Sequence, residues 1–274
     1  MMSPVVSTFA SRKAGALPEI VTESLAGEHP LRGSVLILGN FDGLHVGHQQ
    51  LVHMAHGLAG KHPVSVMSCE PHPRSFFATQ DEPFRLATPS AKRLLMAPYG
   101  VDFIYSPRFN RSFAGMSPGE FVDDILVEAV GVRHVIAGPD FRFGNKRSGD
   151  MRMLSELGAL RGFGVSIAPE VAHAGIRVSS TLIRTAIRSG DLRGAARFLG
   201  GGWLVETRRR AAGSLEMHPD LCRPRAGRYA GFPERAGYQP DRIRIDITPE
   251  GGFIPLSPYP LQSAPEMWRL ETQD

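Results

Sequence analysis

The sequence has little cysteine, little lysine and no long apolar run. Its 274 residues include only two cysteines, Cys69 and Cys222, which lie far apart and form no CxxC pair. We therefore expect neither a disulfide framework nor a structural zinc site, and a reducing, cytoplasmic compartment fits best. No stretch approaches the roughly 18 apolar residues of a membrane span, and no apolar signal segment is found near the first residue. Neither membrane insertion nor export is expected.

Two common nucleotide-binding motifs are also absent. None of the four lysines is followed by Ser or Thr, so the sequence contains no GxxxxGK[ST] loop. It contains no GxGxxG pattern either. The sequence therefore lacks the main signature of a Walker-type or a dinucleotide-type binding site.

The overall composition is that of a globular protein, with 42% hydrophobic and 21% charged residues. The formal charge of +4 comes entirely from residues 1–199, which hold 21 basic and 17 acidic residues, whereas residues 200–274 hold 10 of each. A small surplus, carried mostly by arginine, suits anionic small molecules better than nucleic acid. We expect small-molecule partners, no nucleic acid and no membrane, and the sequence does not indicate an oligomeric state.

Short apolar runs rich in Val and Ile alternate with amphipathic segments along most of the chain. The runs predict five buried strands, at residues 34–38, 64–68, 101–105, 134–137 and 164–168. Helices are predicted between and after them, and the clearest begins at Ser117-Pro118-Gly119-Glu120, a capping box with proline in the first turn. This alternation predicts a doubly wound, Rossmann-like α/β domain with a parallel five-stranded sheet over residues 31–199, after an N-terminal extension of residues 1–30.

The composition changes after residue 199. Residues 200–274 contain 9 of the 22 prolines, no lysine, and only short extended patterns. We expect a small β-rich C-terminal extension, with a partly disordered tail as the alternative.

A glycine-rich loop follows the first predicted strand and contains Gly39-Asn40-Phe41-Asp42-Gly43-Leu44-His45-Val46-Gly47-His48. Free N–H groups and the positive dipole end of a helix attract phosphate, and glycines let the backbone approach it closely. Two histidines three residues apart can both hydrogen-bond phosphate oxygens. A metal site formed with His53 and His56 is not expected, because about 16 Å of helix would separate the first histidine from the last.

A second phosphate-binding pattern lies at Ser179-Ser180-Thr181, between Arg177 and Arg184. Hydroxyls, N–H groups and guanidinium groups at a helix start suit a polyphosphate. Taken alone, the segment is equally compatible with a helix cap flanked by surface arginines.

A rigid Pro71-His72-Pro73 turn precedes two adjacent phenylalanines, which could form the wall of an aromatic ring site or simply belong to the core. Asp140 follows Gly138 and precedes two further phenylalanines. Its carboxylate could orient Mg²⁺ or a ligand edge, or cap a turn, and Asp42 is ambiguous in the same way.

Four of these segments resemble one family in their order and sequence. Gly39 to His48 resembles the HxGH signature of the nucleotidyltransferase superfamily, and its fuller form resembles the FMN adenylyltransferase module of bacterial FAD synthetases. The other segments that match this family are Glu70 to Phe77, Gly138 to Gly144 and Val178 to Arg184. The resemblance covers roughly residues 30–200.

The resemblance implies an enzyme that joins ATP and FMN to give FAD and diphosphate, by in-line attack of the FMN phosphate on the α-phosphorus of ATP, with Mg²⁺ as cofactor. It implies catalytic roles for His45, His48, Arg177 and Ser180. It implies ATP contacts for Gly39, Phe41, Asp42, Gly43, Gly47, Ser179, Thr181 and Arg184. It implies flavin contacts for Pro71, Pro73, Phe77, Asp140 and Phe143, with Asp140 also the candidate magnesium ligand.

Two alternatives remain open from the sequence. One is a nucleotidyltransferase that acts on a different phosphate acceptor, and the other is a non-catalytic flavin- or nucleotide-binding regulator.

Bifunctional members of the family continue into a riboflavin kinase barrel with a Gly-Phe-Pro-Thr-Ala-Asn type motif, whereas here Gly231-Phe232-Pro233 is followed by Glu234-Arg235-Ala236. We expect residues 200–274 to be a remnant too short for a complete barrel, and we expect no riboflavin kinase activity.

Overall fold

The computed structural model describes residues 15–78, 82–173, 175–210, 213–234, 241–256 and 267–273. A parallel sheet with its helices comes first along the chain, and a closed antiparallel barrel follows. The strands of the sheet are β1 (Glu19–Val21), β2 (Val35–Leu38), β3 (Val64–Met67), β4 (Phe103–Tyr105), β5 (His134–Ala137) and β6 (Gly164–Ile167). A separate hairpin pairs β7 (Ala172–His173) with β8 (Ile176–Arg177).

The helices occupy the segments between the strands and the end of the α/β part. They are α1 (Val46–Ala59), α2 (Pro73–Phe77), α3 (Pro89–Met96), α4 (Arg111–Gly115), α5 (Pro118–Glu120), α6 (Met151–Arg161), α7 (Ser180–Ser189) and α8 (Leu192–Leu199). Helix α5 continues directly as a π-helix, Phe121–Val130, and short 3-10 helices lie at Ala97–Tyr99 and Asn145–Arg147. Within the described ranges, no helix is long and apolar enough to cross a membrane.

The sheet has the order β1-β4-β3-β2-β5-β6, and all its pairs are parallel. This confirms the doubly wound parallel sheet and the positions of all five predicted strands. The predicted burial is wrong for β6, which lies at the sheet edge with Ile167 exposed. The predicted number of strands is wrong, because β1 adds a sixth from within the predicted N-terminal extension. Strand β1 is only three residues long and lies at the sheet edge, with Glu19 and Ile20 exposed, so it carries no continuous apolar run.

The predicted helix start at Ser117 is confirmed in its atomic detail. The Ser117 hydroxyl accepts from the Glu120 N–H at 3.2 Å, and the Glu120 carboxylate accepts from the Ser117 N–H at 2.7 Å. Both partners satisfy N–H groups that a helix start would otherwise leave unpaired. The helix ends at Gly131, whose φ of +62° is in the left-handed region that favours glycine.

The second part of the chain is a closed barrel of six strands: β9 (Trp203–Arg209), β10 (Leu215–Met217), β11 (Gly227–Pro233), β12 (Ile243–Ile247), β13 (Gly252–Pro255) and β14 (Met267–Gln273). Their order around the barrel is β10-β13-β12-β11-β14-β9. Its fully buried side chains include Trp203, Tyr229, Phe253 and Trp268. The expectation that residues 200–274 are too short for a complete barrel is therefore wrong. Strands of only three to seven residues suffice to close the barrel.

The barrel packs on the α/β part through a shared apolar core. Leu86, Ile183 and Ile187 belong to the same buried cluster as Trp203 and Tyr229 of the barrel. The predicted domain boundary at residue 199 stays a proposal, with α8 ending at Leu199 and β9 beginning at Trp203.

Candidate active site

The candidate site lies at the carboxyl ends of β2, β3 and β5. Strand β2 pairs with β3 on one side and with β5 on the other, so the strand order reverses at this point. Open α/β sheets bind ligands where connections diverge in this way. The predicted segments after β2, β3 and β5 therefore meet at one edge of the sheet.

The loop between β2 and α1 has a tightly constrained backbone. Phe41 has a φ of +47° although it is not glycine, and its ring is buried against the ring of His48 at 4.6 Å between centroids. Gly43 has a φ of +71°, and a Cβ there would lie 3.0 Å from Cβ of Leu86. Backbone strain of this kind is common at functional sites. Gly39 and Gly47 are also close-packed, since a Cβ would lie 3.1 Å from the rings of Phe41 and His45 respectively.

The rings of the two histidines of the loop are stacked, and they carry their protons on different nitrogens. His45 caps α1, because its Nδ1 accepts from the His48 N–H at 3.2 Å. His48 Nδ1 lies 2.9 Å from the carbonyl oxygen of Gly43, so this nitrogen is the donor. In the neutral rings, Nε2 of His45 therefore carries a proton and Nε2 of His48 carries a lone pair. The ring centroids are 3.6 Å apart with an interplanar angle of 12°.

Both histidines are uncharged at neutral pH in this structure. Burial lowers the pKa of His45 to about 4. Burial, and then the proximity of His45, lowers the pKa of His48 well below its usual value. An anion bound beside the rings would favour their protonated forms, so the pair can gain positive charge when a phosphate arrives.

Helix α7 begins beside the same loop. Ser179 caps this helix by accepting from the Leu182 N–H at 3.3 Å, and the hydroxyl of Ser180 donates to the carbonyl oxygen of Asp42 at 2.9 Å. Thr181 is exposed in the first turn. The N-termini of α1 and α7 therefore flank one loop, which is an arrangement that favours polyphosphate.

The structure pairs Asp42 and Arg184 with each other in the interior. The Arg184 guanidinium donates to the Asp42 carboxylate at 2.7 Å and to the carbonyl oxygen of Phe84 at 2.7 Å. The second carboxylate oxygen of Asp42 accepts from the N–H groups of Leu86 and Ala87 at 2.7 and 3.2 Å. The ATP contacts of Asp42 and Arg184 stay a prediction. In the structure, the hydrogen bonds of these two side chains hold the loop between β2 and α1 in place.

Arg177 and Asp140 meet at the exposed rim of the site. Arg177 forms ion pairs with Asp140 at 2.5 Å and with Glu170 at 3.1 Å. Asp140 is thus the partner of a cation, and no group of three or more His, Cys, Asp or Glu side chains in the described part of the chain could hold a metal ion. The magnesium role of Asp140 stays a prediction.

On the flavin side that the sequence predicted, a row of aromatic rings runs from the surface to the core. Phe77 is 66% exposed and contacts Phe76 and Phe109, with centroids 5.1 and 5.8 Å away. Pro71 is exposed and Pro73 is half-buried at the start of α2. The row continues through Phe113 and Phe121 to Phe143, which is only 5% exposed and belongs to the core cluster.

Several buried polar residues beside the site were not singled out from the sequence. Nδ1 of His72 accepts from the Arg74 N–H at 3.0 Å, while its buried Nε2 has no hydrogen-bond partner among the described residues. Burial lowers the pKa of His72 to about 4. Lys92 is 3% exposed and donates to Ser68. The only sequence signal for His72 was its position between two prolines, and Lys92 had none.

Comparison with known proteins places this geometry in context. The family model described as FAD synthetase matches residues 28–182. The bifunctional riboflavin kinase/FMN adenylyltransferase of Escherichia coli (strain K12) is 36% identical over 206 residues, covering 74% of this chain and 62% of that protein. The protein of the same name from Pseudomonas fluorescens is 40% identical over 181 residues, covering 65% of this chain and 57% of that one. The chain thus spans about three fifths of these curated relatives.

One solved structure resembles the whole architecture, including the barrel. It is titled a macrolide-efflux protein from Streptococcus pneumoniae, with a TM-score of 0.76 and 22% identity, covering 94% of this chain and 90% of that one. At this level of identity the likeness shows the fold alone.

Proposed function

The chain belongs to the FAD synthetase family, and from that premise we propose that it transfers the adenylyl group of ATP to FMN, giving FAD and diphosphate. The observation that carries this proposal is the stacked pair His45 and His48 between the N-termini of α1 and α7. The aromatic row reaches the surface at Phe77, which follows the neighbouring strand β3, and supplies a surface suited to a planar ring.

The proposed reaction is a single in-line displacement. A phosphate oxygen of FMN forms a bond with the α-phosphorus of ATP, the bond from this phosphorus to the β-phosphate oxygen breaks, and diphosphate leaves with the electron pair. Such a transfer needs positioning and charge stabilisation more than covalent help from the protein. We assign His45 and His48 to the phosphate oxygens, where Nε2–H of His45 donates and a protonated His48 adds a positive charge.

Ser179, Ser180 and Thr181 would hold the polyphosphate at the start of α7, and Arg177 would contact it from the rim. The binding of Mg²⁺ to the ATP phosphates stays a prediction. A cytoplasmic location is also proposed, in keeping with the free thiols of Cys69 and Cys222. The absence of riboflavin kinase activity stays a prediction from the missing Thr and Asn after Pro233.

The test is incubation of the purified full chain with ATP, Mg²⁺ and, separately, FMN, riboflavin or other phosphate acceptors, followed by chromatographic separation of the products. FAD from FMN is expected, with no FMN formed from riboflavin. His45→Asn retains an acceptor at the helix cap and loses Nε2, so it should lower kcat by about 100-fold or more, as loss of one transition-state donor does. His53→Asn, at an exposed position of the same helix, is the matched control and should leave kcat unchanged.

Transfer to another acceptor in preference to FMN would replace this proposal with the other nucleotidyltransferase. Tight binding of FMN or ATP without turnover would support the non-catalytic regulator instead.

A further inference from the structure

The segment Phe84–Thr88, called the strap below, connects the barrel to the loop that carries the histidines. On the side of the active site, Asp42 accepts from the N–H groups of Leu86 and Ala87. The carbonyl oxygen of Phe84 accepts from Arg184. Any displacement of the strap therefore moves the hydrogen-bond partners of Asp42, three residues before His45.

On its other side, the strap forms several hydrogen bonds with the barrel. The indole N–H of Trp203 donates to the carbonyl oxygen of Leu86 at 2.8 Å. The Arg85 N–H donates to Asp220 O at 2.9 Å, and the Cys222 N–H donates to Arg85 O at 2.8 Å, so Arg85 pairs like a strand residue with Leu221. The hydroxyl of Thr88 donates to the carboxylate of Glu206.

The side chain of Leu86 strengthens this attachment. It is 1% exposed and packs in the same core cluster as Trp203 and Tyr229 of the barrel. The strap is therefore attached to the barrel by apolar packing as well as by hydrogen bonds.

A charged path runs from the strap to the turn before α2. The Arg85 guanidinium forms a bidentate pair with Glu70 at 2.9 and 2.7 Å and lies 3.6 Å from Asp220 of the barrel. Glu70 immediately precedes Pro71 of the predicted flavin side and also contacts Lys92 at 3.3 Å. Bidentate pairs fix geometry as well as charge.

We propose that the barrel supports the transferase site. Its residues Trp203, Glu206 and Asp220 hold the strap, and the strap in turn positions the histidine loop and the Pro71 turn. This inference rests on the proposed adenylyltransferase function. Trp203 is a positioning residue that acts through Leu86 and Asp42. The barrel thus has a role in FAD formation that requires no riboflavin kinase chemistry.

The test compares two equivalent substitutions in the full chain. Trp203→Phe removes the N–H that holds Leu86, while Trp268→Phe removes a tryptophan that is also fully buried in the barrel and packs on Phe253. We expect both variants to lose thermal stability, and Trp203→Phe to lose more because it also gives up the hydrogen bond to Leu86. Only Trp203→Phe should raise the KM for ATP, by about fivefold or more, and lower kcat at a temperature where both variants are folded.

A second pair of variants keeps the test independent of tryptophan packing. Glu206→Ala should reproduce the KM effect, and Glu206→Gln, which retains an acceptor for Thr88, should restore most of the wild-type value. Equal kinetic losses in Trp203→Phe and Trp268→Phe, or wild-type kinetics in Trp203→Phe and Glu206→Ala, would overturn the proposal.

Hydrogen exchange separates this inference from the proposed function. The amides of Leu86 and Ala87, and those of the loop before α1, should exchange at least tenfold faster in Trp203→Phe than in Trp268→Phe. If the wild-type chain forms no FAD, the adenylyltransferase proposal fails. The exchange comparison then still decides whether the barrel orders this loop.

Discussion

Asp42 and Arg184 form an ion pair at 2.7 Å in which the two residues are only 2% and 8% exposed. They are 142 positions apart in the sequence and join the histidine loop to helix α7. The pair fixes the start of α7 beside the start of α1, because Ser180 of the same helix turn also donates to Asp42 O. The geometry of the proposed phosphate site therefore depends on a contact between two buried charges.

Breaking this pair from either side should be costly. Asp42→Asn leaves the Arg184 cation without its carboxylate, and Arg184→Met leaves a buried carboxylate without its cation. Each variant should lower the free energy of unfolding by about 3–5 kcal/mol. Urea denaturation of the single variants and of the double variant measures this, and the double variant should lose less than the sum of the two.

Arg188→Met is the matched control for that experiment. Arg188 lies on the same helix and pairs with Glu82 at 2.7 Å, but both side chains are solvent-accessible. Its loss should change stability by no more than about 1 kcal/mol. Additive losses in the double variant would mean that Asp42 and Arg184 are not energetically coupled.

Two glycines, one in the loop before α1 and one near the end of this helix, should respond to alanine in opposite directions. Gly43→Ala places a Cβ 3.0 Å from Leu86 at a φ of +71°, so it should destabilise the protein by about 1–3 kcal/mol and reduce FAD formation. Gly57→Ala, in the exposed part of α1 with no atom within 4 Å, should stabilise it by about 0.5–1 kcal/mol. Thermal unfolding and initial rates measure both effects, and a stabilised Gly43→Ala variant would contradict the strained geometry of the loop.

The elements with a strong local pattern could be predicted from the sequence. The runs at 35–38 and 64–67 are buried along their whole length, and the capping box at Ser117 sets its own helix start. Barrel closure could not be predicted in this way. It depends on β14 pairing with both β9 and β11, and such distant pairing leaves no local signal in a proline-rich segment.

The sequence predicted which loops form the site, but not which of their side chains contact one another. The motifs correctly located the loops after β2, β3 and β5 at one sheet edge. Tertiary contacts, such as those of Asp42 with Leu86 and Arg184, determine which charged side chains are exposed and which are buried in ion pairs. The same reason explains why Phe109, on a different loop, was not recognised as a neighbour of Phe77.

Two of the predicted flavin residues should behave differently when truncated. Phe77→Ala removes a ring that is 66% exposed, so stability should change by less than about 0.5 kcal/mol. The KM for FMN should rise by about fivefold, the value of one aromatic stacking contact, while the KM for ATP stays constant. Phe143→Ala empties a core position and should cost about 3–5 kcal/mol of stability. Steady-state kinetics and urea denaturation distinguish the two, and an unchanged KM for FMN in Phe77→Ala would remove this residue from the flavin site.

Acidification should destabilise the protein through its buried histidines. Burial lowers the pKa of His45 and of His72 to about 4, against 6.5 for the free side chain. Between these two values the unfolded chain takes up protons that the folded chain does not, so their contribution to stability is complete above pH 6.5 and is lost as the pH falls toward 4. At pH 5 the expected loss is about 2 kcal/mol for each histidine.

Urea midpoints at pH 7 and pH 5 measure this loss, which should be smaller in His45→Asn and in His72→Asn than in the wild type. Asparagine at either position retains a cap acceptor but cannot be protonated in this range. The exposed His53→Asn is the control and should keep the full wild-type pH dependence, because it leaves both buried histidines in place. If all three variants lose stability on acidification as steeply as the wild type, His45 and His72 are not the cause of that loss.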